Sequence, residues 1–122
     1  MDEAEEKFRD EMDRWAAKKL DVPFVFTEFG TDTLGTEHKL PAVMWSQEYQ
    51  DEYLEMNFRV FDDYDFVQGE LVWNFADFQT SEGIFRVNGN KKGVLPETVS
   101  QSRPRMFFAD AGSGCPEYIP DM

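Results

Sequence analysis

Residues 24–30 read Phe24-Val25-Phe26-Thr27-Glu28-Phe29-Gly30, and this stretch decides the fold. Phe24 to Thr27 is a continuous apolar run, not an alternating one, which predicts a short strand buried on both faces, as in a parallel sheet. The run closes on Glu28. Downstream of Gly69, Leu71-Val72-Trp73-Asn74-Phe75 repeats the pattern and predicts a second buried strand. Between the two lies a helical stretch from Gln47 to about Asp65, with Ser46 as N-cap and Tyr49, Tyr53, Met56 and Val60 as its buried stripe. A crossover helix joining two apolar strands is a βαβ unit, so the expected class is α/β.

Upstream, residues 2–20 predict an amphipathic helix with Phe8, Met12, Trp15 and Ala16 on one face. Asp2 and Glu5 have the spacing of a capping box, and Lys18 and Lys19 suit the negative helix end. Asp21-Val22-Pro23 ends that helix, because proline disfavours helical geometry in the residue before it. Residues 30–45 form a loop. Two parallel strands neither close a sheet nor cover both faces, so the unit is expected to be part of a larger domain.

The chain has 122 residues, 41% of them hydrophobic and 16% aromatic, which is too apolar for a disordered tail. Its net charge of −13 opposes a general role on nucleic acid or at a membrane surface. One cysteine, Cys115, and one histidine, His38, exclude an internal disulfide framework and a Cys- or His-rich metal site. No cofactor is expected. No segment approaches the roughly 18 apolar residues of a membrane span, and the acidic start is unlike a signal peptide. The expected compartment is the cytoplasm.

Functional residues in such folds gather where strands end, which places Glu28 and Trp73 at one rim. A strand-end glutamate has an ordinary alternative explanation, a structural salt bridge. Beyond the second strand, Arg86 to Lys92 carries three basic residues and no acidic one in a chain with 25 acidic residues. The turn Val87-Asn88-Gly89-Asn90-Lys91-Lys92-Gly93 can bring amide donors and an ammonium onto one small anion; its plain alternative is an exposed hairpin tip. Trp73 can stack on a sugar face or simply fill a core.

Three motifs follow one another: Thr27-Glu28-Phe29-Gly30-Thr31-Asp32-Thr33-Leu34, Val72-Trp73-Asn74-Phe75-Ala76-Asp77-Phe78 and Asn90-Lys91-Lys92-Gly93. Together they resemble the last third of the catalytic (β/α)8 TIM barrel of β-glucuronidases, within glycoside hydrolase family 2. The resemblance runs from about residue 1 to Val94. The Thr-Glu-Phe/Tyr-Gly element is shared with the family's β-galactosidases and β-mannosidases, whereas Asn-x-Lys points to a glucuronidase.

The resemblance implies a C-terminal piece of the barrel, from its sixth helix through its eighth strand. It makes Glu28 the nucleophile of a retaining mechanism, Trp73 a wall of the sugar site, and Asn90 and Lys92 the readers of the glucuronide C6 carboxylate. Arg86 matches a basic residue beside that carboxylate, and Asp32 and Asn74 are supporting residues. The acid/base partner is a glutamate on the fourth strand, upstream of residue 1, so this chain alone is expected to be inactive. The parent is expected to be a homo-oligomer acting on small glucuronides. The alternatives are a β-galactosidase-like sibling, a non-catalytic remnant and a carbohydrate-binding fragment.

From Leu95 the chain departs from the family pattern, and residues 95–122 are expected to be irregular. Suitable codons for 95–112, read one base out of phase, can encode Thr-Arg-Asp-Arg-Gln-Pro-Lys and then Val-Leu-Arg-Gly-Arg-Trp, close to the family ending. A frameshift is the expectation, and the gene sequence tests it.

Overall fold

The computed structural model describes residues 1–81, 83–84 and 89–95. Arg86 and the expected irregular tail from residue 96 lie outside the described residues. Four elements follow in order: helix α1 (Asp2–Ala17), strand β1 (Phe24–Phe29), helix α2 (Gln47–Asp62) and strand β2 (Val67–Val72). The strands pair in parallel, with Phe24 opposite Val67, Phe26 opposite Glu70 and Phe29 opposite Val72. The expected βαβ crossover is present.

Local chemistry sets the helix ends. Ser46 caps α2, its hydroxyl accepting from the Tyr49 N–H at 3.2 Å. The capping box expected at α1 does not form: the cap is Met1, Asp2 already lies in the first turn, and the Glu5 carboxylate is engaged elsewhere. It binds Arg9 at 2.9 Å and Arg59 of α2 at 2.6 Å, and these two guanidiniums, Arg59 first, hold its carboxyl below the usual range. Both helices end three residues before the sequence suggests, α1 at Ala17 and α2 at Asp62.

The core consists of Met12, Phe29, Leu54, Met56, Val60 and Phe61. The Phe61 ring meets Phe8 at 5.5 Å, Phe26 at 4.4 Å and Phe29 at 5.1 Å. Each fully buried side chain of this kind contributes ~1.5–3 kcal/mol. On α2 the buried face is turned from the expected stripe, since Leu54 and Phe61 are buried while Tyr49 and Tyr53 remain half-buried. A tyrosine keeps its hydroxyl near water where a leucine need not.

Two further expectations are corrected. Both helices cover one sheet face only, so β1 is not buried on both sides: Val25 is 53% and Leu71 57% exposed on the other face. The second strand spans Val67–Val72 rather than 71–75. It stops where its partner stops: the Trp73 N–H still reaches the Phe29 carbonyl at 2.8 Å, but the Asn74 N–H turns to the Lys92 carbonyl at 3.2 Å. Glu70 therefore sits inside the strand, not at its start. Burial, with the nearby Asp62 charge second, pushes its carboxyl pKa up.

Candidate active site

The C-terminal ends of β1 and β2 form one rim, and the segments beyond them are sewn to it by backbone hydrogen bonds. Phe78 and Asn90 exchange both backbone bonds, at 3.3 and 2.8 Å. Val94 N–H donates to the Asn74 carbonyl at 3.0 Å, Leu95 N–H to Phe75 at 3.0 Å, and Thr33 N–H to Lys91 at 2.8 Å. The described part of the basic turn, residues 89–95, is thus docked between both strand ends. Close approach explains two of the glycines here. A Cβ on Gly30 would overlap the Trp73 carbonyl, and one on Gly93 would overlap the Asp77 amide.

An open cleft of about 480 Å³ lies at this rim, and Glu28, Trp73, Gly30 and Lys92 all line it. Its volume is in the range that small-molecule sites occupy. Glu28 is exposed and makes no hydrogen bond or ion pair with any described residue. The salt-bridge explanation for this strand-end acid is therefore not met among them. No other carboxylate lines the cleft among the described residues. Trp73 is 38% exposed and meets Phe78 edge-on at 6.2 Å, and its peptide bond to Asn74 is cis.

The two lysines of the turn diverge. Lys91 Nζ lies 3.9 Å from the buried Asp77 carboxylate, while Lys92 Nζ faces the cleft, with Asp32 at 4.0 Å. Asn90 does not line the cleft. It is buried, and its Oδ1 accepts from the Lys92 N–H at 2.9 Å, which fixes the turn that presents the lysine. Asn74 donates through Nδ2 to the Ala76 carbonyl at 2.6 Å, a local role. Among the described residues no group of three or more His, Cys, Asp or Glu could hold a metal ion.

Sequence reasoning missed two residues. Asp77 accepts from the Gly93 N–H at 2.9 Å, and Gln50 of α2 reaches carbonyls in both rim loops. Asp77 lies inside a quoted motif but carried no assigned role. Gln50 had no signal, because a polar residue in a helix reads as solvated.

A carboxylate open to solvent at a strand end, with an ammonium and an indole in the same cleft, can accommodate an anionic sugar. Known proteins similar to this chain are β-glucuronidases. A β-glucuronidase of Paenibacillus borealis is 48% identical over 85 residues, covering 70% of this chain and 14% of its own length. The human β-glucuronidase is 41% identical over 80 residues, 64% of this chain and 12% of its own. The crystal structure of Ruminococcus gnavus β-glucuronidase with uronic isofagomine superposes with a TM-score of 0.75 at 77% identity, covering 78% of this chain and 16% of that one. The chain therefore spans about one seventh of the length of the curated relatives it matches. Residues 1–109 match the TIM barrel domain of the family 2 glycosyl hydrolases, and the chain belongs to that family.

Proposed function

We propose that this chain is the nucleophile-bearing end of a retaining β-glucuronidase. The observation that carries the reading is the single cleft shared by Glu28, Trp73 and Lys92. Glu28 attacks the anomeric carbon as the bond to the aglycone oxygen breaks, giving a glycosyl-enzyme ester. A general acid protonates the leaving oxygen, then takes a proton from the water that cleaves the ester and releases glucuronate. That acid/base belongs to an earlier barrel strand of the whole protein, which agrees with Glu28 being the one carboxylate lining the cleft among the described residues.

Lys92 takes the C6 carboxylate of the sugar, and the buried Asn90 holds Lys92 in its turn. A hydrogen bond to a charged group contributes about 1.5–3 kcal/mol, enough to prefer a uronide over a neutral hexoside. Asp32, with its carboxylate 4.0 Å from this ammonium, limits where it can point. Arg86 is assigned to the same carboxylate by resemblance. The substrates are small glucuronides, and the whole protein works as a homo-oligomer in the cytoplasm.

The test places residues 1–94 into the matching segment of the Ruminococcus gnavus enzyme and follows hydrolysis of 4-nitrophenyl β-D-glucuronide. Glu28→Gly should lose turnover by orders of magnitude, with azide restoring it by taking the nucleophile's place. Lys92→Ala should lower the glucuronide-to-galactoside ratio roughly ten- to hundredfold. Full activity in Glu28→Gly, or an unchanged ratio in Lys92→Ala, removes the corresponding assignment. The 122-residue chain by itself should show no turnover.

A further inference from the structure

Gln50 is 1% exposed, an unusual place for a primary amide on an acidic helix. Its Nε2 lies 3.1 Å from the Thr31 carbonyl, 3.5 Å from the Lys92 carbonyl and 3.4 Å from the Gly93 carbonyl. Three carbonyl oxygens around one end of an amide call for the nitrogen there, because only it donates. The bond to Thr31 is the shortest of the three. Thr31 lies three residues past Glu28, and Lys92 is the ammonium that shares its cleft. One buried side chain on the crossover helix therefore ties the loop after the first strand to the turn after the second.

We infer that Gln50 is a positioning residue, holding the Lys92 turn at a set distance from the strand end that carries Glu28. It touches no substrate and does not line the cleft. The assignment of the sugar carboxylate to Lys92 rests on the function proposed above, whereas the clamp itself rests on the hydrogen bonds. Asp77 anchors the same turn through the Gly93 N–H, so the turn is gripped by its carbonyls at Gln50 and by its amide at Asp77. Two grips leave little freedom for the lysine's backbone, which sets where its side chain starts relative to Glu28 before any ligand arrives.

The test compares the full chain with Gln50→Met, which keeps the volume and removes the donor, and Gln50→Asn, which keeps the donor and shortens its reach. Amide hydrogen exchange by NMR should accelerate about tenfold or more at Thr33 and Asn74, whose N–H groups donate to Lys91 and Lys92. Phe24 and Trp73, whose N–H groups donate to the Phe66 and Phe29 carbonyls at the two ends of the sheet, should keep their protection. Titration with D-glucuronate and D-glucose should show the preference for the acid reduced about tenfold in both variants. Gln50→Glu, whose carboxylate would face three carbonyl oxygens, should lose more than Gln50→Met. Uniform acceleration across all four amides, or none at any, overturns the assignment. A wild-type chain that does not prefer glucuronate overturns the reading of Lys92 instead, and the exchange pattern still judges Gln50.

Discussion

The two ends of the sheet are built by different physics. At the base, Trp15, Phe24, Phe66 and Tyr64 pack ring against ring at 5.1–5.6 Å, with Lys18 Nζ 3.7 Å above the Trp15 indole. Ion pairs join the two helices, Arg9 to Asp63 at 2.7 Å and Arg59 to Glu5 at 2.6 Å. Toward the rim, buried polar groups join Phe29 and Met56: Thr33, Ser46, Gln50, Asp77 and Asn90. Apolar packing has no direction and tolerates small slips, so it sets the fold without fixing an ångström-scale site. Buried hydrogen bonds are directional and costly to leave unmade, so they fix geometry. The molecule uses the first kind where it needs stability and the second where it needs placement.

Substitutions can separate the two. Phe61→Ala, beneath three aromatic rings, should cost about 3–5 kcal/mol and unfold base and rim together in a urea titration. A rim that melted first in that variant would break the distinction. Asp77→Ala leaves the Gly93 N–H without its acceptor and should cost about 1–3 kcal/mol. Its effect should be confined to residues 89–95 in amide exchange, with the base unchanged.

Ser46→Ala removes the α2 cap and the contacts of that hydroxyl with Val43, a loss of about 1 kcal/mol read as a lower thermal midpoint. The smallest effect is expected from acid. The Lys39 backbone N–H, with His38 second, holds the Glu48 carboxyl down to about 2. A lowered carboxyl pKa stabilises the fold above the ordinary carboxylate range, and that contribution disappears as pH falls toward 2. Exchange in residues 37–47, relative to the unfolded chain, should therefore rise between about pH 5 and pH 2 ahead of the aromatic base, and equal rates would sink the assignment.

The same contrast explains what the sequence disclosed. Local and periodic features were legible: the apolar run at Phe24, the Ser46 cap and the helix between two strands all act through near neighbours. The shared rim of Glu28 and Trp73 was legible because each lies where a strand ends, whereas Lys92 was expected beside them through the resemblance alone. The α2 face was misjudged because tyrosine and leucine score alike as apolar, although only leucine buries without regard to a hydroxyl. The end of β2 was misplaced because a strand stops where its partner does, and Phe29 is 43 positions before Val72. Gln50, and the hold of Asn90 on the Lys92 N–H, were passed over for a related reason. Their partners are carbonyls and amides, which every residue carries and no sequence marks.

Val25 and Leu71 lie open on the outer face of a sheet whose two strands, among the described residues, pair only with each other. An unprotected strand edge beside apolar side chains is a template for further strands, whatever chain they come from. Repulsion from a net charge of −13 opposes such pairing between copies of this chain. Salt that screens this charge, or acid that neutralises the carboxylates, promotes precipitation through the sheet edges while the aromatic base is still intact. The keeping quality of a purified sample is thus a matter of ionic conditions more than of melting temperature.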